Sequence, residues 1–355
     1  MDRALDFTIG ENFTNLPIFT TEKLHDNDMR LVLIFDPAIC SEPYEDPDKP
    51  YSALSEGIRR DVFIKRDNEI LYGAVWPAKE GIDINTGQPY LPKSCPVAFP
   101  DFHLTSTIEW WTAELKNYHA RVPYDAIWID MNEPSNFMDG SYTGCGDSKL
   151  ENPPFVPSMN CECGDMVNKT ICMSSVQYPS GDVNGVGVYH YDTHSLYGHS
   201  MSAATAFAAN EIYGSKRSWV VTRSNFGGSG RYGGHWLGDN HSTWRDLANS
   251  IVGMLDMNLF GIPYTGADIC GFSGEADEEL CTRWMQLGAF YPFSRNHNAK
   301  YEPEQDPGST RFSDVLRESA AAAMNIRYSF LPELHNLFYQ SSINGGTVVR
   351  SLAEQ

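Results

Sequence analysis

AIWIDMNEPSNF, residues 126–137, sets an apolar run directly in front of two acids three positions apart, Asp130 and Glu133. The run Ala126–Ile129 reads as a buried strand. An ionised carboxylate is costly inside a protein unless it is paired or employed. A strand that favours burial and still finishes on Asp130 therefore either runs into a polar turn or ends at a pocket.

The order of elements on both sides narrows the fold. Arg30–Asp36 is continuous and apolar, as expected of a strand buried on both faces. Residues 106–121 carry Ile108, Trp111, Leu115 and Tyr118 on one helical stripe. Helix is expected again over 193–213, and short strands over 219–222 and 235–238. Ser242 or Thr243 can cap a helix running through Leu247, Ile251 and Leu255. Extended chain resumes at 261–265. A helix over 276–287 places Glu278 and Glu279 near its positive N-terminus. A strand is expected at 289–293 and a long helix over 313–339, kinked at Pro332.

Strand-then-helix repetition implies parallel strands joined by crossovers. A doubly wound sheet and a (β/α)₈ TIM barrel both satisfy it. About six units are countable. Two irregular stretches, about 41–100 and 134–190, each follow a strand, which favours the barrel and its elaborated loops. No repeat period or second domain is visible.

Composition excludes several classes. Of 355 residues, 46 are acidic and 26 basic, a net charge of −20. That disfavours nucleic acid, whose phosphates need Lys and Arg, and an anionic membrane surface. No apolar run reaches membrane-span length, and Met1-Asp2-Arg3 opens no signal peptide. Sequons at Asn12, Asn168 and Asn240 point to the secretory pathway; with no signal in view, they imply an excerpt of a longer chain. The even cysteine count permits disulfides. Cys161-Glu162-Cys163 lacks the second pair a zinc site needs, and neither metal nor cofactor is expected.

Charged groups recur where strands end: Asp36, Asp130, Arg223, Asp239, Asp268, and Arg295 with His297. In a barrel these termini share one face. Two carboxylates on separate strands can cleave a glycoside, one attacking or stabilising the anomeric carbon and one protonating the departing oxygen. Their environments must differ so that their pKa values separate. Asp130 and Asp239 are the candidates. Trp128 shares a strand face with Asp130, and Trp236 closely precedes Asp239. Gly228–Gly233 matches GxGxxG, but Gly234-His235-Trp236 follows it instead of an amphipathic helix, so a tight loop is expected there and not a dinucleotide site.

WIDMNEPSNF (128–137), VTRS (221–224), GRYGGHWLGDN (230–240), GADICGF (266–272) and QLGAFYPFSRNHN (286–298) together resemble the glycoside hydrolase family 31 α-glucosidases, from about residue 1 to 352. Ile129 stands where the endoplasmic-reticulum branch has Asn, so the resemblance is to the lysosomal and intestinal branch. It implies a (β/α)₈ barrel, retention at the anomeric carbon, Asp130 as nucleophile and Asp239 as acid/base. For retention the two carboxyls should lie roughly 5–6 Å apart. Arg223 and His297 would bond sugar hydroxyls, Arg223 also helping to keep Asp130 ionised. Trp128, Met131, Trp236, Phe272 and Trp76 would line the first subsite. Asp268 and Arg295 match polar positions beside it, and Glu133 would stand behind the nucleophile. Disulfides Cys145–Cys172 and Cys270–Cys281 are implied, Cys40 with Cys95 would close the first irregular stretch, and Cys161 and Cys163 stay unassigned. The family also carries an N-terminal β-sandwich and two barrel strands before Met1, and β domains after about residue 352. The barrel is therefore expected to be incomplete, with the missing domains packing on it. An oligosaccharide is the expected partner. A glycan on Asn240 would block the pocket, so none is expected there. A non-catalytic sugar-binding relative, an α-1,6- or sucrose-preferring enzyme and a transglycosylase remain open alternatives.

Overall fold

The computed structural model describes residues 5–41, 51–75, 95–156, 166–180, 185–214 and 216–354. They form two units, Met1–Val220 with Ser224–Phe226, and Val221–Arg223 with Gly227–Gln355.

In the first unit a short helix α1 (Leu16–Phe19) precedes strand β1 (Val32–Phe35) and strand β2 (Ile39–Cys40). Helix α2 (Ser52–Arg59) and strands β3 (Lys65–Arg66), β4 (Glu69–Ile70), β5 (Tyr72–Ala74) and β6 (Pro96–Ala98) follow. Next come helix α3 (Thr105–His119), strand β7 (Ala126–Ile129), strands β8 (Val176–Gln177) and β9 (Val188–Tyr189), and helices α4 (His190–Thr193) and α5 (Tyr197–Tyr213). β1 and β7 run parallel, with Ile34 opposite Trp128 and Phe35 opposite Ile129. All four β7 residues are buried. β1 corrects the reading of a strand buried on both faces: it is an edge strand of its described sheet, and Ile34 is 44% exposed.

The two stretches that read as irregular both contain regular structure. β2, β6 and β5 form one antiparallel sheet, and β4, β3, β8 and β9 another. Disulfides Cys40–Cys95 and Cys145–Cys172 close loops within these stretches. Beneath them α3 packs its buried face, Trp110, Trp111 and Leu115, on α2 and α5. The indole N–H of Trp111 donates to Thr205 Oγ1 at 3.0 Å, and that of Trp110 to the Ala53 carbonyl at 3.1 Å. Ala204 and Ala208 on α5 are buried and small enough for the helices to approach. Truncating Leu115 to Ala here would cost about 2–5 kcal/mol.

Strand β10 (Val220–Thr222) straddles the unit boundary. In the second unit its Val221 and Thr222 pair in parallel with β11 (Gly234–Trp236), which pairs with β12 (Thr265–Gly266). Helix α6 (Trp244–Leu259) lies between β11 and β12 in sequence, its N-terminus capped by Thr243 Oγ1, which accepts from the Asp246 N–H at 3.1 Å. After Ala267, strand β13 (Asp268–Ile269) pairs in parallel with β14 (Arg295–Asn296) across helix α7 (Glu278–Gly288). Asp277 caps α7. Helix α8 (Asp314–Asn344) contains Pro332 and is fastened by Arg327, which donates to the carbonyls of Ala289 at 2.9 Å and Tyr291 at 2.6 Å.

The strand expected at 289–293 is absent. Ala289–Phe293 is a turn that buries Tyr291, whose hydroxyl accepts from the Trp284 indole at 3.0 Å, while Pro292 supplies no ladder donor; the strand starts at Arg295. The glycine run 228–233 opens no helix. A Cβ on Gly230 would sit 1.9 Å from the Gly261 carbonyl oxygen, so the run is a close backbone crossing. No described helix is long and apolar enough to cross a membrane.

Candidate active site

Four of the expected site residues lie in the first unit, around the carboxyl end of β7. Asp130 is half-buried, and its Oδ1 accepts the N–H of Met131 at 2.7 Å. Trp128 and Met131 are buried. Met131 adopts φ 57°, a left-handed conformation that a non-glycine residue holds only when its surroundings dictate it. Those surroundings are visible. Asn132 is buried, and its Oδ1 accepts the N–H of Ser224 at 2.9 Å, tying this loop to the residue after Arg223. Glu133 faces His194: burial pushes that imidazole's pKa down, and the Glu133 charge opposes the push. Thr170 Oγ1 donates to the Pro134 carbonyl at 2.9 Å.

Asn136 locks the loop further and escaped the sequence reading. It is fully buried; its Oδ1 accepts from Ala74 N–H at 2.9 Å, and its Nδ2 donates to the Gly140 carbonyl at 2.8 Å. Its partners are main-chain groups of distant segments, which no local pattern announces.

Seven expected residues lie in the second unit. Arg223 follows β10 and is half-buried; Asp239 follows β11 and is exposed. Trp236 is buried, with the Arg295 guanidinium 5.8 Å from its ring. Arg295 pairs with Asp268 across the β13–β14 ladder, its Nε 3.1 Å from Asp268 Oδ1 and its Nη2 bonded to the same oxygen. Asp268 has no exposed surface, so removing Arg295 would leave its charge buried and unpaired. Phe272 and His297 stack with centroids 5.3 Å apart and planes 28° from parallel. Burial, with the Arg295 charge adding to it, takes His297 down to about 4, so its imidazole is neutral near pH 7 and can both donate and accept. Gln305 underpins this pair. It is buried, and its Nε2 lies 3.0 Å from the carbonyls of both Gly271 and His297. The disulfide Cys270–Cys281 ties the same loop to α7.

Some expectations fall elsewhere. Trp76, Cys161 and Cys163 lie outside the described residues. Asp36 is buried at the end of β1, and its N–H donates to Asp6 Oδ1 at 3.2 Å; burial and the Asp36 charge hold the Asp6 carboxyl well above its usual range. Among the described residues, one cluster has metal-ligand spacing, Cys145, Glu151 and Cys172. Its two sulfurs are bonded to each other, and Glu151 accepts from the N–H groups of Met173 and Ser174, so it is a structural knot.

Comparison with known proteins gives a consistent result. The family model "Glycosyl hydrolases family 31 TIM-barrel domain" matches residues 1–337. The intestinal sucrase-isomaltase of Suncus murinus is 42% identical over 363 residues, covering 100% of this chain and 19% of its own length. The lysosomal alpha-glucosidase of Rattus norvegicus is 43% identical over 354 residues, covering 99% of this chain and 34% of its own. The crystal structure of a glucosidase II alpha subunit in its Glc1Man2-bound form matches with a TM-score of 0.77 at 26% identity, over 99% of this chain and 32% of that one. The chain thus spans about a third or less of the length of these relatives.

Proposed function

This chain belongs to glycosyl hydrolase family 31, and on that premise we propose that it carries the catalytic groups of a retaining α-glucosidase. The substrate is the terminal non-reducing α-1,4-linked glucose of maltose, maltooligosaccharides, glycogen or starch. One observation carries the reading: Asp130 directly follows the parallel strand β7, Asp239 stands three residues past the end of the parallel strand β11, and each comes shortly after a buried tryptophan.

In the first half-reaction an Asp130 oxygen attacks the anomeric carbon. The bond from that carbon to the glycosidic oxygen breaks, and the Asp239 proton passes to the departing oxygen. In the second, Asp239 takes a proton from water, the hydroxide attacks the same carbon, and the Asp130 ester bond breaks. Arg223 and His297 hold sugar hydroxyls. Trp128, Met131, Trp236 and Phe272 line the first subsite, and Glu133 supports the loop behind the nucleophile. The Asp268–Arg295 pair fixes the floor beside Trp236. None of these steps calls for a cofactor.

The relatives' printed names, lysosomal and intestinal, support a place in the secretory pathway, at the lysosome or cell surface, as do the three described disulfides. Further domains of a longer parent chain are proposed to pack on this one. Helix α8 leaves Ile326 and Phe330 exposed on one side and Tyr328, Tyr339 and Ile343 on another, apolar side chains that fit such contacts.

The test is hydrolysis of a chromogenic α-glucoside by the full natural chain, with Asp130→Asn as control. Turnover that Asp130→Asn abolishes supports the reading. Sugar binding without turnover would replace it with a non-catalytic carbohydrate-binding one.

A further inference from the structure

The Asp239 carboxylate is exposed and has no hydrogen bond or ion pair among the described residues. Its direction is therefore set by its backbone. On its N-terminal side stands Gly238, a buried glycine at φ 76°, where a built Cβ would meet only the Arg223 side chain, at the ordinary contact distance of 3.8 Å to Cδ. The chain before it is held by Leu237 N–H, which donates to the Gly266 carbonyl at 3.0 Å, and on the C-terminal side it is held at several points.

Asn240 supplies most of them. Its side-chain Oδ1 accepts the Phe272 N–H at 2.9 Å, and its Nδ2 donates to the Asp268 carbonyl at 3.0 Å. Its main-chain carbonyl accepts from Phe272 N–H at 3.1 Å and Ser273 N–H at 2.9 Å. His241 bridges in parallel to Ser273, and Ser242 N–H donates to the Ser273 carbonyl at 2.9 Å. The approach is close enough to demand glycine at 271, where φ is 95° and a Cβ would stand 2.4 Å from Ser242 N. Exposure alternates over residues 239–241: Asp239 out, Asn240 partly buried, His241 out. A side chain locked inward turns its two neighbours outward.

We propose that Asn240 is the positioning residue that aims the Asp239 carboxyl, and that its sequon carries no glycan because the amide is engaged inside the fold. The inference rests on the α-glucosidase reading, with Asp239 as its acid/base. A general acid must lie within hydrogen-bond reach of the oxygen it protonates, and a misplacement of about 1 Å can cost about 10²-fold in rate. Asn240 provides that placement through the strand-like seam it makes with residues 268–273. A sugar on Nδ2 would occupy the position that the Asp268 carbonyl now fills.

The experiment compares two substrates in the full natural chain. Maltose releases a poor leaving group that needs the proton; α-glucosyl fluoride releases fluoride, which needs little help. Asn240→Ala should lower kcat/KM on maltose by about 10²-fold and leave the fluoride near wild type. Asn240→Asp keeps an acceptor for Phe272 N–H, loses the donor to Asp268, and should fall between; it carries the comparison if the alanine variant does not fold. Glycopeptide mass spectrometry of active wild-type protein should find Asn240 bare. Equal losses on both substrates would reduce Asn240 to a merely structural residue and overturn the assignment, as would a glycan on Asn240 in active protein. A wild-type protein inactive on both substrates would instead overturn the α-glucosidase reading beneath it.

Discussion

After β7 the chain carries Asp130 into a segment whose own side chains close around it: the Met131 N–H bonds the carboxylate, Asn132 and Asn136 are buried as main-chain clasps, and Trp128 and Met131 seal the flanks. After β11 the chain carries Asp239 into solvent, between a glycine and an asparagine. The two ends match the two chemical duties proposed for them. A nucleophile profits from being immobile and partly dry, with its charge already met by a donor. An acid/base must exchange a proton with water in every cycle, so exposure serves it, provided something else fixes its direction.

The largest effects that could break this contrast are catalytic. Asp130→Asn should remove turnover of maltose and α-glucosyl fluoride alike, by on the order of 10⁴-fold or more. Asp239→Asn should cost about 10²–10⁴-fold on maltose and much less on the fluoride. Steady-state rates on the pair decide it; two variants equally dead on both substrates would erase the division of labour.

A smaller effect sharpens the structural side. Asn136→Ala strips a fully buried acceptor from Ala74 N–H and a donor from Gly140, which should cost about 3 kcal/mol of folding stability. A urea titration reads it; an unchanged midpoint would mean that the enclosure around Asp130 does not depend on this clasp.

The smallest effect is in pH. In the first unit, burial holds Asp101 up to about 6 against an ordinary 3.8, although its carboxylate accepts from His103 and Tyr178 N–H. Its folded form keeps the proton longer than the unfolded chain does, so this stability is present below about 3.8 and lost as pH rises to about 6. In the second unit, burial holds His235 down to about 4 against 6.5, although its Nδ1 donates to the Thr222 carbonyl at 3.0 Å. Its contribution is present above about 6.5 and lost as pH falls to about 4. Each is worth at most about 3 kcal/mol, reached only across its full pH window, with opposite slopes. Thermal melting between pH 4 and 6.5 should show Asp101→Asn removing the loss on alkalinisation and His235→Asn removing the loss on acidification. Parallel curves for all three proteins would deny the opposition.

Much of this was legible before coordinates. β7, β10 and β11 could be read because strands of a parallel sheet, covered on both faces, are continuously apolar, and α6 and α7 announced themselves through Thr243 and the acids after Asp277. β14 was displaced by the apolar Ala289–Phe293, whose burial serves a turn under α8. β2–β6, β8 and β9 are two or three residues long, too short for alternation to register. The ion pair between Asp268 and Arg295 joins residues that sequence analysis had placed separately at strand ends. Asn136 and Gln305 were silent, and Asn240 stood out only as a sequon, for one shared reason: each side chain serves main-chain groups far along the chain, and main-chain groups leave no trace in residue identity.

The buried pair of Asp268 and Arg295 has a consequence for how this end of the molecule can diverge. The Asp268 charge without Arg295, at a place with no access to water, is a step downhill that neighbouring residues cannot soften. Lineages that remodel sugar preference here must therefore keep Arg295 for as long as they keep Asp268. The accessible route to new preference then runs through residues nearer the solvent, where a single substitution can survive long enough to be tried.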